Sequence, residues 1–161
     1  MKSLIKVGNK FPKVKLFENN PGNAVDTESL LKGKKVIVFG VPGAFTPGCS
    51  KTHLPGYIAD YQKFKSKGVD SIICVSVNDP FVMEAWGKVN NVGDKIKMLA
   101  DTNGELTREL GVEYDLSEKL GNKRMKRFSM VCEDGTVKVF NLEPEGGGLT
   151  CSLSNNLLEL I

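Results

Sequence analysis

One histidine in 161 residues removes several chemistries at once. The four cysteines, Cys49, Cys74, Cys132 and Cys151, form no paired motif. Cys49 and His53 stand at helical i,i+4 spacing, but without a second histidine they make no zinc site. Cysteines spaced this irregularly do not form a secreted disulfide framework in a chain of this length. No apolar run approaches a membrane span, so a soluble protein with no membrane partner is expected. The net charge is only +3, which makes no strong case for nucleic acid. The basic run Lys123-Arg124-Met125-Lys126-Arg127 reads as a solvated strand entrance, because apolar residues follow at once. Asn103-Gly104 and Gly146–Gly148 are turn chemistry, lacking the strand-to-helix context of a dinucleotide loop. With no metal, haem, flavin or nucleotide motif, no cofactor is expected.

What remains is an ordinary globular balance, 40% hydrophobic and 25% charged, undivided by repeats or linkers. Residues 1–161 are expected to form one domain. The start, Met-Lys-Ser-Leu-Ile-Lys, carries neither a signal peptide nor an Arg-rich transit sequence. The end, Glu159-Leu160-Ile161, is not a peroxisomal address. A cytoplasmic protein is expected, with a mitochondrial form left open if a leader has been removed.

The order of elements is α/β. Short strands and a small helix capped by Thr27 occupy the first thirty or so residues. Lys35 to Val41 reads as a central strand. Cys49 to Lys67 is helical in pattern, with Gly68 as its stop and a kink expected at Pro55. Val69 to Val77 is the next strand, and Asn78-Asp79-Pro80 gives a cap and first-turn proline for a helix running to about Asn90. A strand at Ile96–Ala100 and a weak helix at Glu105–Leu110 follow. Strands at Phe128–Cys132 and Val137–Leu142 meet at Glu133-Asp134-Gly135, a hairpin turn. A glycine-rich loop then leads to a last helix from about Ser154.

The chemistry concentrates between Gly40 and Gly56. Cys49 falls where a loop becomes a helix, and there unpaired N–H groups and the helix dipole favour an anion. A thiol in such a place tends toward thiolate, the nucleophilic form. A small buried cysteine among loop punctuation is the plainer alternative. Thr46 brings a hydroxyl near the sulfur and Pro42 offers a rigid apolar shield against water.

Pro42-x-x-x-Thr46-x-x-Cys49 resembles the active-site signature of the peroxiredoxins. The longer run from Gly40 to Gly56 resembles the peroxiredoxin-5 or type-II group, the atypical two-cysteine enzymes. Ser76–Pro80, Lys126–Met130 and Gly148–Leu153 match the same group in the same order, so the resemblance covers nearly the whole chain. It implies a thioredoxin-like fold, a central mixed sheet flanked by helices, with N-terminal additions. It implies a thiol peroxidase acting on hydrogen peroxide and organic hydroperoxides, with peroxynitrite a further candidate. Thioredoxin, or glutaredoxin with glutathione, is the implied reductant, and a homodimer the implied assembly.

By that resemblance Cys49 attacks the peroxide, Thr46 and Arg127 assist, Pro42 shields the site, and Gly48 contributes to substrate binding. A free thiol, with pKa near 8.5, is only about 3% ionised at pH 7. A helix terminus supplies only about 0.3–1 kcal/mol, so a cation is also required, and arginine keeps its proton beside a thiolate. Alternation puts Arg127 with Ser129 and Val131 on one sheet face, opposite Phe128 and Met130. The second thiol is left between two residues. Cys151 matches the resolving cysteine of animal enzymes and follows a glycine-rich loop. Cys74 resembles the position used in plant enzymes but lies inside an apolar strand. Reduction by an external thiol, as in one-cysteine enzymes, is a third route. Cys132 matches nothing and reads as structural.

Two other classes stay in view. A cysteine hydrolase would rest wholly on His53 as base, with no recognisable third residue to orient it. A non-catalytic redox partner or chaperone would keep the fold without needing Thr46, Cys49 and Arg127 together.

Overall fold

In the computed structural model, residues 3–161 are described; Met1 and Lys2, part of the segment read for targeting, lie outside the described residues. The strands are β1 (Lys15–Phe17), β2 (Ala24–Asp26), β3 (Lys35–Val41), β4 (Ser71–Ser76), β5 (Lys97–Ala100), β6 (Glu113–Asp115), β7 (Lys123–Met125), β8 (Phe128–Glu133) and β9 (Thr136–Leu142). The helices are α1 (Thr27–Leu31), α2 (Leu54–Ala59), α3 (Tyr61–Ser66), α4 (Pro80–Val89), α5 (Glu105–Leu110), α6 (Ser117–Leu120) and α7 (Ser154–Leu158), with a π-helical turn at Cys49–His53.

Seven strands form one mixed sheet in the order β2-β1-β5-β4-β3-β8-β9. β3, β4 and β5 are parallel, while β8 runs antiparallel to β3 and β9 antiparallel to β8. The central strands are buried on both faces, which is why β3 and β4 read as unbroken apolar runs. Alternation divides the core in two. Val36, Val38, Val75, Phe128, Met130 and Cys132 pack on one face. Ile37, Phe39, Cys74, Trp86 and Val131 pack on the other, together with Cys49. This is the thioredoxin-like architecture of helices against a central mixed sheet.

The β8–β9 turn is closed by Asp134 and Gly135, both at positive φ (49° and 78°), as a two-residue hairpin requires. Three local expectations change. The cap of α1 is Asp26, whose carboxylate accepts the Glu28 N–H; the Thr27 hydroxyl instead donates to the Pro12 carbonyl at 2.7 Å and accepts from Val14 N–H at 3.0 Å. The basic run 123–127 is not uniformly solvated. Strand alternation buries Met125, and Arg127 is turned inward to 4% exposure. The helix after Cys49 is broken at Asp60, while Pro55 acts upstream by widening a turn. Among the described residues no helix is long and apolar enough to cross a membrane.

Candidate active site

β3 hands the chain at Val41 to the loop Pro42–Gly48, which is held from the side by β4. Asn78, just beyond β4, accepts the Ala44 N–H at 3.0 Å and the Ser76 hydroxyl at 2.7 Å on its side-chain oxygen. Its neighbour Asp79 caps α4 by accepting the Val82 N–H. One block of sequence therefore both starts a helix and anchors the loop. Phe45 takes a left-handed φ of 63°, and Pro47 then opens the helical segment, where a missing N–H costs nothing. The Ser50 N–H donates to the Thr46 carbonyl at 2.9 Å. The next turn is wider: Leu54 N–H reaches back five residues to the Cys49 carbonyl. Pro55 gives the Lys51 carbonyl no donor and crowds it, and the π-helical turn relieves that conflict directly behind the sulfur. The Ser50 hydroxyl accepts from Trp86 Nε1 at 2.9 Å, tying this turn to α4.

Cys49 is fully buried, and Pro42 beside it is buried as well. Two side chains converge on the sulfur. Thr46 Oγ1 lies 3.0 Å from Cys49 Sγ and 2.6 Å from the Gly43 carbonyl. With one proton the hydroxyl serves one acceptor at a time: the carbonyl beside a thiol, the sulfur beside a thiolate. Arg127, the residue just before β8, brings Nη1 to 3.3 Å from Sγ. Gly48 makes room for it, since a Cβ there would lie 3.0 Å from Arg127 Nη2. Arg124 sits outside this contact and donates to the Pro42 carbonyl at 3.3 Å.

The second Nη1 proton of Arg127 points at His53 Nδ1, 3.2 Å away. The other ring nitrogen, Nε2, is 3.0 Å from the Ser152 carbonyl. A carbonyl only accepts, so Nε2 carries the proton and Nδ1 receives the arginine. Burial, followed by the Arg127 charge, lowers the His53 pKa to about 3. A neutral imidazole with its lone pair committed cannot draw a proton from Cys49. The hydrolase reading loses its base, and His53 becomes the seat of the guanidinium. Arg127 Nε is buried without a hydrogen-bond partner among the described residues.

The remaining cysteines fall in different surroundings, and all four are free. Cys74 lies within β4 on the same core face as Cys49, and burial raises its pKa well above the usual thiol value. Cys132 packs on the opposite face, its thiol pushed up to about 12 by burial. Cys151 is half-buried in the segment before α7, its thiol donating to the Leu142 carbonyl at 3.3 Å. Burial and the neighbouring Glu143 charge raise its pKa too.

Several residues that organise this site escaped the sequence reading. Tyr57 stacks on Phe39 at 4.1 Å between ring centres and donates its hydroxyl to the Ser152 carbonyl at 2.8 Å. Glu143, fully buried after β9, accepts from Thr150, Cys151 and Ser152. An acidic residue ending a largely apolar strand, ahead of a Thr-Cys-Ser run, was the available signal.

The profile of the Redoxin family matches residues 6–157. Peroxiredoxin-2B of Arabidopsis thaliana is 49% identical over 144 residues, covering 89% of this chain and 88% of that protein. The chloroplastic Peroxiredoxin-2E of the same plant is 46% identical over 164 residues, covering 98% and 69%. Among solved structures, reduced Prx3 of Vibrio vulnificus in complex with hydrogen peroxide superposes with a TM-score of 0.92 at 40% identity, covering 98% of this chain and 100% of that one. Peroxiredoxin 5 of Alvinella pompejana gives 0.85 at 43% identity, covering 98% and 99%.

Proposed function

The chain belongs to the Redoxin family, in its peroxiredoxin-5 or type-II branch, and we propose that Cys49 is the thiol with which this peroxidase attacks hydroperoxides. Thiol-dependent peroxide reduction is the activity of the family and of this enzyme. The observation that supports Cys49 is the convergence of Thr46 Oγ1 and Arg127 Nη1 on its sulfur.

The Cys49 thiolate attacks one peroxide oxygen and the O–O bond breaks. The leaving oxygen departs as water or an alcohol, taking up the proton that the thiol released. Cys49 becomes a sulfenic acid. Thr46 donates to whichever anion is present, first the sulfur and then the moving oxygen. Arg127 absorbs charge through Nη1, and its unpaired Nε is a further donor for the peroxide. Pro42 keeps water off the sulfur, and Gly48 leaves space for guanidinium and substrate together.

For the second half of the cycle, Cys151 is the proposed resolving thiol. It lies half-buried in the irregular segment between β9 and α7, whereas Cys74 is fixed inside a central strand, and a disulfide needs Cα atoms within about 7 Å. Thioredoxin, or glutaredoxin with glutathione, is the proposed reductant, in a reducing compartment, cytoplasmic or organellar. A homodimer is proposed on the exposed Phe45 and Phe81, which flank the linked loops at Ala44 and Asn78. A monomeric mass in sedimentation would overturn that assembly. Stopped-flow oxidation of the reduced enzyme, followed by mass mapping of its cysteines, tests the cycle: sulfenic acid forms at Cys49, then a Cys49–Cys151 bridge. A first oxidation at any other thiol would end the reading, and a Cys49–Cys74 bridge would reassign the second step.

A further inference from the structure

Glu143 carries more hydrogen bonds than any role in packing requires. Its Oε2 accepts the backbone N–H groups of Thr150 (3.0 Å), Cys151 (2.9 Å) and Ser152 (2.9 Å), and the Ser152 hydroxyl at 2.6 Å. Its Oε1 accepts the Thr150 hydroxyl at 2.5 Å. Four donors on one oxygen suit an anion far better than a neutral acceptor. Gly148 lets the chain close over the carboxylate, for a Cβ there would stand 3.1 Å from Oε1. Burial alone would push the carboxyl pKa up, but the Ser152 and Thr150 donors outweigh it and hold Glu143 at about 2. The carboxylate therefore stays charged at every working pH.

The segment it holds is the one that bears Cys151. The same segment supplies the Ser152 carbonyl that accepts from both His53 Nε2 and the Tyr57 hydroxyl. On the backbone side, Glu143 N–H donates to the Arg127 carbonyl at 3.0 Å, and Arg127 N–H donates to the Gly146 carbonyl at 2.7 Å. Contacts thus run in a closed ring from Cys49 to Arg127, Glu143, Ser152, His53 and back to Arg127. While the ring is closed, the Cys151 thiol donates to Leu142 and not to Cys49.

We propose that Glu143 is a positioning residue that clamps the Thr150–Ser152 segment and so sets the rate at which Cys151 reaches the oxidised Cys49. This rests on the reading of Cys151 as the resolving thiol. In the step concerned, the Cys151 sulfur attacks the sulfenic sulfur, an S–S bond forms and the S–O bond breaks. The hydroxyl leaves as water with the Cys151 proton; the oxidising equivalents came from the peroxide. With its own N–H and those of both neighbours bound to the carboxylate, the Cys151 thiol faces the Leu142 carbonyl, and on this proposal the segment must release before the attack. The clamp therefore divides the sulfenic acid between two fates: a disulfide when the segment releases, and over-oxidation by a second peroxide when it does not.

The test compares wild type with Glu143→Gln, which keeps the shape and removes the charge. Disulfide formation after a single turnover of hydrogen peroxide is followed by quenched mass spectrometry, alongside the over-oxidised fraction of Cys49 at high peroxide. The disulfide is expected to form about tenfold faster in the variant, with over-oxidation falling in step. A Cys49–Cys151 bridge formed at the wild-type rate, or slower, overturns the clamp and leaves Cys151 as resolving thiol. A bridge to Cys74 in the wild type, or none, overturns the Cys151 reading and the clamp together. Should Glu143→Gln fail to fold, Thr150→Val and Ser152→Ala each delete one hydroxyl donor and are expected to accelerate the step about two- to threefold. No acceleration in either would sink the proposal equally.

Discussion

Cys49 and Cys151 are held by opposite charges. Cys49 meets the Arg127 guanidinium at 3.3 Å, while the N–H of Cys151 is bound to the Glu143 carboxylate. Burial and the Glu143 carboxylate raise the Cys151 pKa, whereas Cys49 has a cation as its neighbour. The two sites share a backbone junction, since Glu143 and Arg127 are hydrogen-bonded through their main chains. If Cys151 is the resolving thiol proposed above, the two thiols are kept chemically unequal although their surroundings share one junction.

The comparison breaks most visibly if the cation is removed. Arg127→Ala is expected to slow Cys49 oxidation by about 10²–10³-fold, the usual loss for one charge-stabilising donor, as read by stopped-flow with hydrogen peroxide. Arg127→Lys keeps the charge but not the fixed planar guanidinium whose Nη1 meets both sulfur and His53, so it should recover only part of the rate. An unchanged rate in Arg127→Ala would remove the residue from the site.

A smaller effect sharpens it through acid. The folded His53 pKa, about 3, lies below its unfolded value near 6.5, so between those values the unfolded chain binds the extra proton. Stability from this group is intact above pH 6.5 and is lost as pH falls toward 3, by on the order of 1 kcal/mol per pH unit. Glu143 has the opposite origin and the same direction. Its folded pKa of about 2 lies below the usual 4.5, so its contribution is full above 4.5 and lost on falling through 2. Denaturant titrations of His53→Gln, which can still donate to Ser152 and accept from Arg127, should lose the slope from pH 6.5 to 4.5 and retain the lower one. A variant with the wild-type slope would assign the effect elsewhere.

Much of this was legible in the sequence. The apolar runs of β3 and β4, the Asp79-Pro80 helix start and the Asp134-Gly135 turn each carry their own local physics, and the structure follows them. Alternation grouped Arg127 with Ser129 and Val131, and the structure places Val131 on the core face that holds Cys49. The two-stranded sheet of β6 and β7 was missed because Glu113–Asp115 and Lys123–Met125 are short and mostly polar. The His53 and Glu143 roles were hidden for a different reason. His53 meets the Ser152 carbonyl 99 residues away, and Glu143 gathers three successive N–H groups of residues 150–152; main-chain atoms leave no trace in composition. Thr27 was misread because Asp26 beside it is an equally good cap, and only the approach of Pro12 decides between them.

Gly40 carries a consequence of its own. A Cβ at this position would fall 2.3 Å from the Phe128 ring and 2.5 Å from the Met125 sulfur. Both belong to the core face turned away from Cys49, and Phe128 is the residue next to Arg127. Oily contacts behind the sheet thus calibrate where the guanidinium stands in front of it. A single methyl added at Gly40 is expected to push Phe128, and with it the neighbouring Arg127, out of place without changing any residue that touches the sulfur.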